Sequence, residues 1–281
     1  MKKYILITIL FLQAALLCAV FDDYIPSARA RGMGGAFTAV ADDATSIFFN
    51  PAGLAQSDNH LQIGFSQLYN QKFAEHGTAA AAIKLPEKWG RLGLGARFFG
   101  VTFEDVDLMS EKTFSLSHGF VLQHDIHSTI CMGYTGNFHH LAFDDEDDTD
   151  SALSLDLGVN AVLHGRTRFG FTVANLFKAR MGHESQNELP SKLALGLAYQ
   201  PYDGVTTSVE LKKDFAKETE FMGGVEARIF EPLTLRFGIH HNPALYNLGL
   251  GLNIRGVEID YSYSFHNVLP STSHINVGYK F

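Results

Sequence analysis

The stretch Asn-Leu-Gly-Leu-Gly-Leu-Asn-Ile at residues 247–254 alternates large apolar residues with small or polar ones. Successive side chains of an extended strand point to opposite faces, so one face carries Leu and Ile and the other carries Asn and Gly. Residues 257–266 repeat the pattern, with Val, Ile, Tyr and Phe opposed by Glu, Asp, Ser and His. The pattern predicts two strands that each have one apolar and one polar face.

Similar runs continue toward the N-terminus and predict about fourteen strands between residue 59 and the C-terminus. Besides the two above, they lie at residues 61–68, 78–85, 92–99, 113–122, 128–138, 153–160, 167–175, 192–199, 205–212, 220–229, 233–240 and 274–281. Each strand with its connection has about sixteen residues, of which a bilayer-crossing strand uses roughly 9 to 11. The spacing and the even strand count predict a closed antiparallel transmembrane β-barrel.

The predicted connections alternate in length, as they do in outer-membrane barrels with short periplasmic turns and longer outer loops. The short connections centre on residues 86–88, 124–125, 164–166, 201–204, 231–232 and 255–256. The longer connections include residues 70–76, 104–112, 144–150 and 178–189. Turns of a soluble β-sandwich need not sort by length, so this alternation favours the barrel.

The first residues predict a secretory signal peptide at 1–19, because two lysines precede a mostly apolar run. We expect cleavage after Ala19, with an uncleaved signal anchor as the alternative, and Leu17 argues against lipidation at Cys18. No later segment has 18 consecutive apolar residues, and the mean hydropathy of +0.01 excludes a bundle of membrane helices. After cleavage Cys131 is the sole cysteine, so no intramolecular disulfide can form.

The polar faces of the predicted strands carry charges of both signs, which cost roughly 2 to 4 kcal/mol for each base that faces lipid at mid-depth. We therefore expect these residues to line the lumen: Arg97, Asp156, Lys192, Glu210, Lys212, Glu226, Arg228, Arg236, Glu258 and Asp260. Glu226 and Arg236 are candidates for cross-strand pairing. The charges fit either a selectivity ring or a lattice of ion pairs, and the lattice is favoured.

Residues 20–58 do not alternate, so they predict a separate N-terminal plug that precedes the barrel of residues 59–281. A barrel of fourteen strands has a lumen that must be either water-filled or closed. The glycines of this segment allow close approach to other backbone, and Asn50-Pro51 is a turn signal before the first strand.

Three motifs in this segment resemble the opening signature of the PorV/PorQ branch of the FadL-type outer-membrane barrels. They are Arg-Gly-Met-Gly-Gly-Ala-Phe at 31–37, Ala-Val-Ala-Asp-Asp-Ala at 39–44 and Asn-Pro-Ala-Gly-Leu at 50–54. The resemblance implies a fourteen-stranded barrel with a hatch in its lumen. Its hatch residues would be Arg31, Gly32, Gly34, Gly35, Asp42, Asp43, Asn50, Pro51 and Ala52. The C-terminal residues, with Tyr279 and Phe281, are similar to the insertion signal of outer-membrane barrels.

The resemblance implies two alternative roles. PorV-type members are accessories of type IX secretion, whereas FadL-type members pass hydrophobic small molecules through a lateral opening in the wall. The predicted lumen charges favour the first role, because a hydrophobic conduit should be lined mainly by apolar side chains. We expect a non-enzymatic accessory of protein secretion or surface assembly. The alternatives are a FadL-type uptake channel and a structural or weakly gated porin.

The expected location is the outer membrane of a Gram-negative-type bacterium. The expected partners are outer-membrane lipid together with either secretion-machinery components or hydrophobic small molecules. The formal net charge of −8 and the lack of a basic stripe argue against nucleic acid as a partner.

No sequence pattern indicates catalysis, a cofactor or a metal. The glycines at 32–35 lack the preceding strand and the Lys-Ser/Thr of a phosphate loop. The adjacent histidines at 139–140 and 240–241 point to opposite faces of a strand, so neither pair readily shares a metal. The acidic residues 144–150 lack the glycine and terminal Glu of a calcium loop, which favours a solvated outer loop.

Overall fold

The computed structural model describes residues 24–86, 89–104, 106–143, 149–181 and 187–281. The predicted signal peptide and most of the acidic stretch 144–150 lie outside these residues. Within the described ranges, no helix combines the length and the apolar character needed to cross a membrane.

The chain folds into a closed barrel of fourteen antiparallel strands, which confirms the predicted fold class. Neighbouring strands in the wall follow chain order, and the first strand pairs with the last to close the ring. The wall strands are β1 (His60–Gln67), β2 (Ala74–Lys84), β3 (Arg91–Phe103), β4 (Val106–His124), β5 (Ser128–Phe143), β6 (Thr149–Leu163), β7 (Thr167–Ala174), β10 (Lys192–Tyr202), β11 (Val205–Asp214), β12 (Thr219–Phe230), β13 (Leu233–His241), β14 (Leu245–Ile254), β15 (Val257–His266) and β16 (Thr272–Lys280). Two short strands, β8 (Arg180–Met181) and β9 (Asn187–Glu188), pair with each other outside the wall.

The connections define two ends of the barrel. The short-turn end carries residues 85–86, 89–90, 125–127, 164–166, 203–204, 231–232 and 255–256, and the long-loop end is the opposite one. One predicted long loop is wrong, because residues 106–112 belong to β4. Both faces of this part of β4 carry polar side chains, so the strand continues where the alternation stops. A strand that extends beyond the apolar band no longer needs one apolar face.

The wall has an apolar outer face and a polar inner face. On β1 the outward Leu61, Ile63 and Phe65 are about half exposed, whereas the inward Gln62 and Ser66 are buried. This is the reverse of a water-soluble barrel, and it agrees with the two faces predicted from the alternation. The buried hydrophobic residues instead come mainly from the N-terminal part of the chain, which lies inside the barrel.

The N-terminal part contains three short helices that begin at side-chain caps. They are α1 (Ala28–Gly32) and two 3₁₀ helices at Ala44–Phe48 and Pro51–Gln56. Their caps are Ser27, Asp43 and Asn50, each of which accepts a hydrogen bond from a backbone N–H of the first turn. A third 3₁₀ helix, Leu68–Asn70, follows β1.

Candidate functional site in the barrel lumen

Residues 24–58, called the inner segment below, lie against the inward face of the wall where the strands carry glycine. A Cβ at Gly133 would lie 2.4 Å from the carbonyl oxygen of Pro51, and one at Gly238 would lie 2.0 Å from the backbone nitrogen of Gly34. Neither position has room for a side chain. The other glycines of this belt are Gly93, Gly95, Gly119, Gly158, Gly170, Gly196, Gly224 and Gly249. Glycine on the polar side of the strands therefore makes the space that the inner segment fills.

The turn after α1 depends on two glycines. Gly34 and Gly35 have φ angles of +69° and +89°, a region that residues with a Cβ rarely adopt. Just before them, a Cβ on Gly32 would lie 3.0 Å from the Cα of Gly249 on β14. The Gly-Met-Gly-Gly sequence thus serves close packing and chain reversal.

Asn50 bonds to three backbone groups, of which two belong to the inner segment and one belongs to the wall. Its Oδ1 accepts a hydrogen bond from the N–H of Ala52 at 3.1 Å. Its Nδ2 donates to the carbonyl oxygens of Thr38 at 2.9 Å and of Val159 on β6 at 3.1 Å. Pro51 occupies the first helical position, where its missing N–H costs no hydrogen bond. The Asn-Pro pair therefore both starts a helix and anchors it.

Glu210 on β11 provides a second anchor. Its carboxylate accepts hydrogen bonds from the backbone N–H groups of Phe37 at 2.9 Å and of Thr38 at 2.7 Å, and from Thr38 Oγ1 at 2.8 Å. All three donors belong to the inner segment. A predicted lumen carboxylate therefore binds two backbone N–H groups and one hydroxyl of the inner segment.

Arg29 on α1 is the centre of an ion-pair network on the short-turn side of the inner segment. Its guanidinium contacts Asp42 at 2.6 Å, Asp43 at 3.0 Å and Glu226 of β12 at 2.9 Å. Glu226 also contacts Arg236 of β13 at 2.6 Å, so the predicted cross-strand pair is present. The network joins two predicted hatch residues to two predicted lumen residues.

The network extends to further strands on both sides. Arg236 contacts Asp260 of β15 at 2.6 Å, and Arg168 of β7 contacts Asp42 at 3.0 Å. Burial by itself would raise the pKa of the Asp42 carboxyl, but Arg29 and Arg168 outweigh this effect and hold that pKa below its ordinary value. Burial would likewise lower the pKa of Arg29, yet the surrounding carboxylates raise it well above its usual range. Four wall strands are thus linked to the inner segment by charge.

Two predicted lumen residues lie apart from this network, toward the short-turn end. Glu258 contacts Lys280 at 2.7 Å and His60 at 3.3 Å. Arg228 has a side chain that is 57% exposed and lies 3.8 Å from Glu231 in the adjacent turn. The structure therefore places Arg228 at the mouth of the lumen.

A cavity of about 130 Å³, called the outer cavity, lies between the inner segment and the long-loop end. The inner segment contributes apolar residues to it: Ile25, Pro26, Phe48 and Phe49. The wall contributes mostly polar and charged residues, among them Arg97, Asp156, Lys192, Glu210 and Lys212. The Arg97 guanidinium lies 5.4 Å from the centre of the Phe48 ring, which is the geometry of a cation–π contact. The outer cavity thus has an apolar floor and polar sides.

Asn175 lines the outer cavity and bonds to the described residues that follow β7 and precede β10. Asp156 Oδ1 accepts a hydrogen bond from the backbone N–H of Asn175 at 2.8 Å. The Asn175 side chain then donates to the carbonyl of Leu189 at 2.9 Å and accepts from the N–H of Ala179 at 2.8 Å. Leu189 also lines the cavity. The Asn175 side chain therefore joins Ala179 to Leu189, next to a predicted lumen carboxylate.

A second cavity, of about 560 Å³, lies at the short-turn end of the inner segment. Its lining is strongly charged and includes Arg29, Asp42, Arg168, Glu226, Arg228, Arg236, Arg255, Glu258, Asp260 and Lys280. The inner segment therefore separates a partly apolar cavity from a charged one.

The C-terminal aromatic residues lie on the outer face at the closure of the barrel. Tyr279 and Phe281 are exposed, and their ring centroids are 6.1 Å apart. The backbone N–H of Phe281 donates to the carbonyl of Asn59 at 3.0 Å, next to the start of β1. This position leaves both rings free to contact lipid.

Sequence reasoning did not single out Arg29 or Asn175. Arg29 lies among small residues in the sequence. The one sequence feature that points to it is the acidic pair Asp42–Asp43, thirteen residues further along the chain. Asn175 directly follows the last residue of β7, where the alternation of apolar and polar residues ends, so the sequence pattern does not indicate its role. Within the part of the chain that the structure describes, no three His, Cys, Asp or Glu side chains are grouped so that they could hold a metal ion.

No protein-family model matches the sequence, and no curated protein sequence matches it either. Solved structures do share its fold. The CymD monoaromatic hydrocarbon channel has a TM-score of 0.62 at 14% identity, over 90% of this chain and 96% of that one. The Pseudomonas putida toluene transporter TodX has a TM-score of 0.58 at 15% identity, over 92% and 98%.

A third structure, a Pseudomonas aeruginosa FadL homologue, has a TM-score of 0.55 at 11% identity, over 91% of this chain and 98% of that one. At such identities the likeness concerns the fold, and nothing in it singles out the PorV/PorQ branch. The structural neighbours are transport channels, and this chain has the fold of the FadL-type channels.

Proposed function

We propose that this protein is a passive outer-membrane channel for small hydrophobic molecules and that its inner segment is the hatch. The observation that carries the proposal is the outer cavity, which ends on Phe48 and Phe49 of the inner segment. A molecule that entered from the long-loop end would meet an apolar floor held by hydrogen bonds and ion pairs. Movement of that floor, rather than chemistry, would control passage.

The size of the outer cavity supports a small apolar ligand. Its volume of about 130 Å³ is close to that of an engineered cavity of ~150 Å³ that accepts benzene. The neighbours CymD and TodX are named as a monoaromatic hydrocarbon channel and a toluene transporter. We therefore choose toluene as the first test ligand.

The outer face supports a membrane location. Outward side chains such as Leu61, Phe114 and Leu195 are more than half exposed, and in water so many exposed apolar residues would form an aggregation surface. In a bilayer they contact acyl chains, while the closed ring of strands satisfies the backbone. We place the protein in the outer membrane of a Gram-negative-type bacterium, reached by means of the signal peptide at 1–19.

Toluene uptake by cells that express the protein tests the proposal. Wild type should raise the uptake rate above that of cells with an empty vector. Ala174→Phe, which adds a ring in the outer cavity, should bring uptake close to the vector level. Val173→Phe adds the same ring to the outer face of the same strand and should behave as wild type.

Surface levels of both variants are compared by the heat-dependent gel shift of folded barrels. If wild type is folded at the surface but uptake equals the vector level, the proposed channel function is wrong. Equal uptake by the two folded variants would show that the outer cavity is not on the path.

A PorV/PorQ-type role in protein secretion is the second candidate, and a specific observation favours it. Each described wall strand pairs with both of its neighbours, so the ring is closed, although four of the pairs contain a register shift. The inner segment is fixed by ion pairs inside this ring. Such a wall and lumen suit a rigid accessory that presents its loops to partner proteins.

Affinity purification from membranes of the native host distinguishes the two roles. Recovery of secretion components in stoichiometric amount would support the accessory role. Recovery of hydrocarbon or lipid in the lumen, without such components, would support the channel.

A further inference from the structure

Two arginines of α1 have opposite electrostatic surroundings. Arg29 contacts three carboxylates, whereas Arg31 forms no ion pair with any described carboxylate. Arg31 is only 6% exposed, its side chain donates to the carbonyl of Ile25 at 3.1 Å, and its Nε has no described hydrogen-bond partner. A buried guanidinium without a counter-charge is costly, so its surroundings require an explanation.

A row of inward side chains faces Arg31 across adjacent strands. Direct cross-strand pairing links Gly249 to Ser262, Ser262 to His274, and His274 to Ser66. Directly opposite residues have Cβ atoms ~4.5–5.5 Å apart. The residue next to Arg31 packs on Gly249, where a Cβ would lie 3.0 Å from the Cα of that glycine. The guanidinium also interacts electrostatically with His274. Arg31 therefore lies beside this row.

Two further polar atoms of the row have no well-aligned hydrogen-bond partner among the described residues. They are Ser262 Oγ and His274 Nε2, on residues that are 0% and 1% exposed, and the Asn276 side chain is the one other polar group that interacts with the His274 ring besides Ser66 and the charged neighbours. Buried polar atoms are paired in most native structures, so three orphans in one neighbourhood point to a bound group. All three atoms, including Arg31 Nε, can donate a hydrogen bond.

The hydrogen bonds of Ser66 are consistent with His274 Nε2 as a donor. Ser66 Oγ contacts the Nδ1 atoms of both His274 and His76. The single hydroxyl proton can be donated to only one of them, so Ser66 can donate to His274 and accept from His76. His274 Nδ1 is then an acceptor, and its neutral ring carries the proton on Nε2.

We infer that Arg31 Nε, Ser262 Oγ and His274 Nε2 bind a small monovalent anion, of the halide class, inside the barrel wall. Three donors and one positive charge match a monatomic anion. A water molecule could accept from two of the donors and would leave the guanidinium uncompensated. Burial lowers the pKa of Arg31 to about 10, with a partial offset from Tyr69, so the guanidinium stays charged at neutral pH, and a bound anion would raise this pKa toward its ordinary value. The near-complete burial of the three side chains disfavours a larger oxyanion.

The first test is crystallography of the mature barrel in sodium bromide. We expect an anomalous peak within hydrogen-bond distance of all three atoms. Absence of that peak at a resolution where other bromides are visible would overturn the inference.

The second test is hydrogen exchange of the inner segment in sodium chloride and in sodium gluconate at equal ionic strength. For a site with a dissociation constant of ~10 mM, 100 mM chloride should slow exchange about tenfold, because only the closed state binds. Ser262→Ala removes one donor with little change in volume and should lose most of this dependence. Ser271→Ala, at the long-loop end, should retain it.

Asp22 and Asp23 precede the described residues and provide a control for a carboxylate of the chain itself. If wild type shows no chloride dependence but the variant D22N/D23N acquires it, the anion is supplied by the chain and our inference is wrong. If D22N/D23N and wild type show the same dependence, the free anion is supported.

Discussion

The carboxylate of Glu210 on β11 accepts the backbone N–H of Thr38 at 2.7 Å, so a single wall side chain replaces the water that this part of the inner segment would otherwise bind. The same carboxylate accepts from Phe37 N–H and Thr38 Oγ1. Hydrogen bonds to a charged acceptor contribute about 1.5–3 kcal/mol. The position of the inner segment at this turn therefore depends on Glu210.

We expect Glu210→Ala to loosen the inner segment without opening the barrel. Alanine removes Oε2, the one oxygen that accepts from both backbone N–H groups, so the N–H groups of Phe37 and Thr38 lose their partner. Hydrogen exchange of the amides of residues 36–40 should accelerate tenfold or more, because 1.4 kcal/mol corresponds to a factor of ten. Exchange in β16 should be unchanged. Glu231→Ala, at a side chain that is 87% exposed, is the matched control. Equal exchange in both variants would contradict the anchoring role.

Two glycines of β5 provide a test of the glycine belt. A Cβ at Gly133 would lie 2.4 Å from Pro51, whereas a Cβ at Gly136 has no neighbour within 4 Å. Both glycines lie in the same strand, but Gly133 is on its buried face and Gly136 is on its exposed face. We expect Gly133→Ala to displace the inner segment and Gly136→Ala to leave it in place. Protease sensitivity of residues 24–58 in the folded barrel measures the difference, and equal sensitivity would contradict the packing.

The pKa of Asp42 predicts how the inner segment responds to acid. Its folded-state pKa lies below the ordinary value of about 3.9, because Arg29 and Arg168 outweigh the effect of burial. The charged form is therefore stabilised by folding. This contribution is complete above the unfolded pKa and is lost as the pH falls through the folded one. Exchange in residues 40–46 should accelerate below pH ~4.

Asp42→Asn removes this titration, so its exchange rates should be higher at neutral pH and should change less in acid. Asp58→Asn, at an exposed residue that forms no ion pair among the described residues, should follow wild type. A wild-type profile in the Asp42 variant would mean that another group controls the response.

The fourteen strands and their two faces could be predicted because membrane and lumen impose a strict period of two on the sequence. The period fails for residues 106–112, where β4 leaves the apolar band and no longer needs an apolar face. The pairing of Glu226 with Arg236 could be predicted for the same reason, because the two residues lie directly opposite each other on adjacent strands.

The inner segment is a different case. Its motifs indicate a plug, but its contacts depend on how short helices meet several distant strands. Arg29 binds Glu226, which lies 197 residues away in the chain. No local pattern specifies such a contact, and the charge of Glu226 alone does not show which arginine reaches it. Sequence reasoning therefore placed Arg31 among the functional residues and did not identify Arg29.

The assignment of the outer face is tested by Leu250 on β14. Its side chain is 39% exposed and faces outward beside Leu235 and Tyr261 of the adjacent strands. Arginine on the lipid face costs roughly 2 to 4 kcal/mol at mid-depth. We expect Leu250→Arg to lower the free energy of unfolding in lipid vesicles by an amount in this range. Leu250→Phe keeps the site apolar and should stay close to wild type.

A substitution at the neighbouring Gly251 would not serve as the control. A Cβ there would lie 2.7 Å from Arg236 Nη1 and 2.7 Å from Asp260 Oδ1, so the change would disturb the ion-pair network. Both substitutions at position 250 leave the ion-pair network intact, so they differ only in the side chain that contacts the lipid. If Arg and Phe at this position gave the same stability in vesicles, Leu250 would not contact acyl chains, and the outward face of β14 would have to be covered by protein.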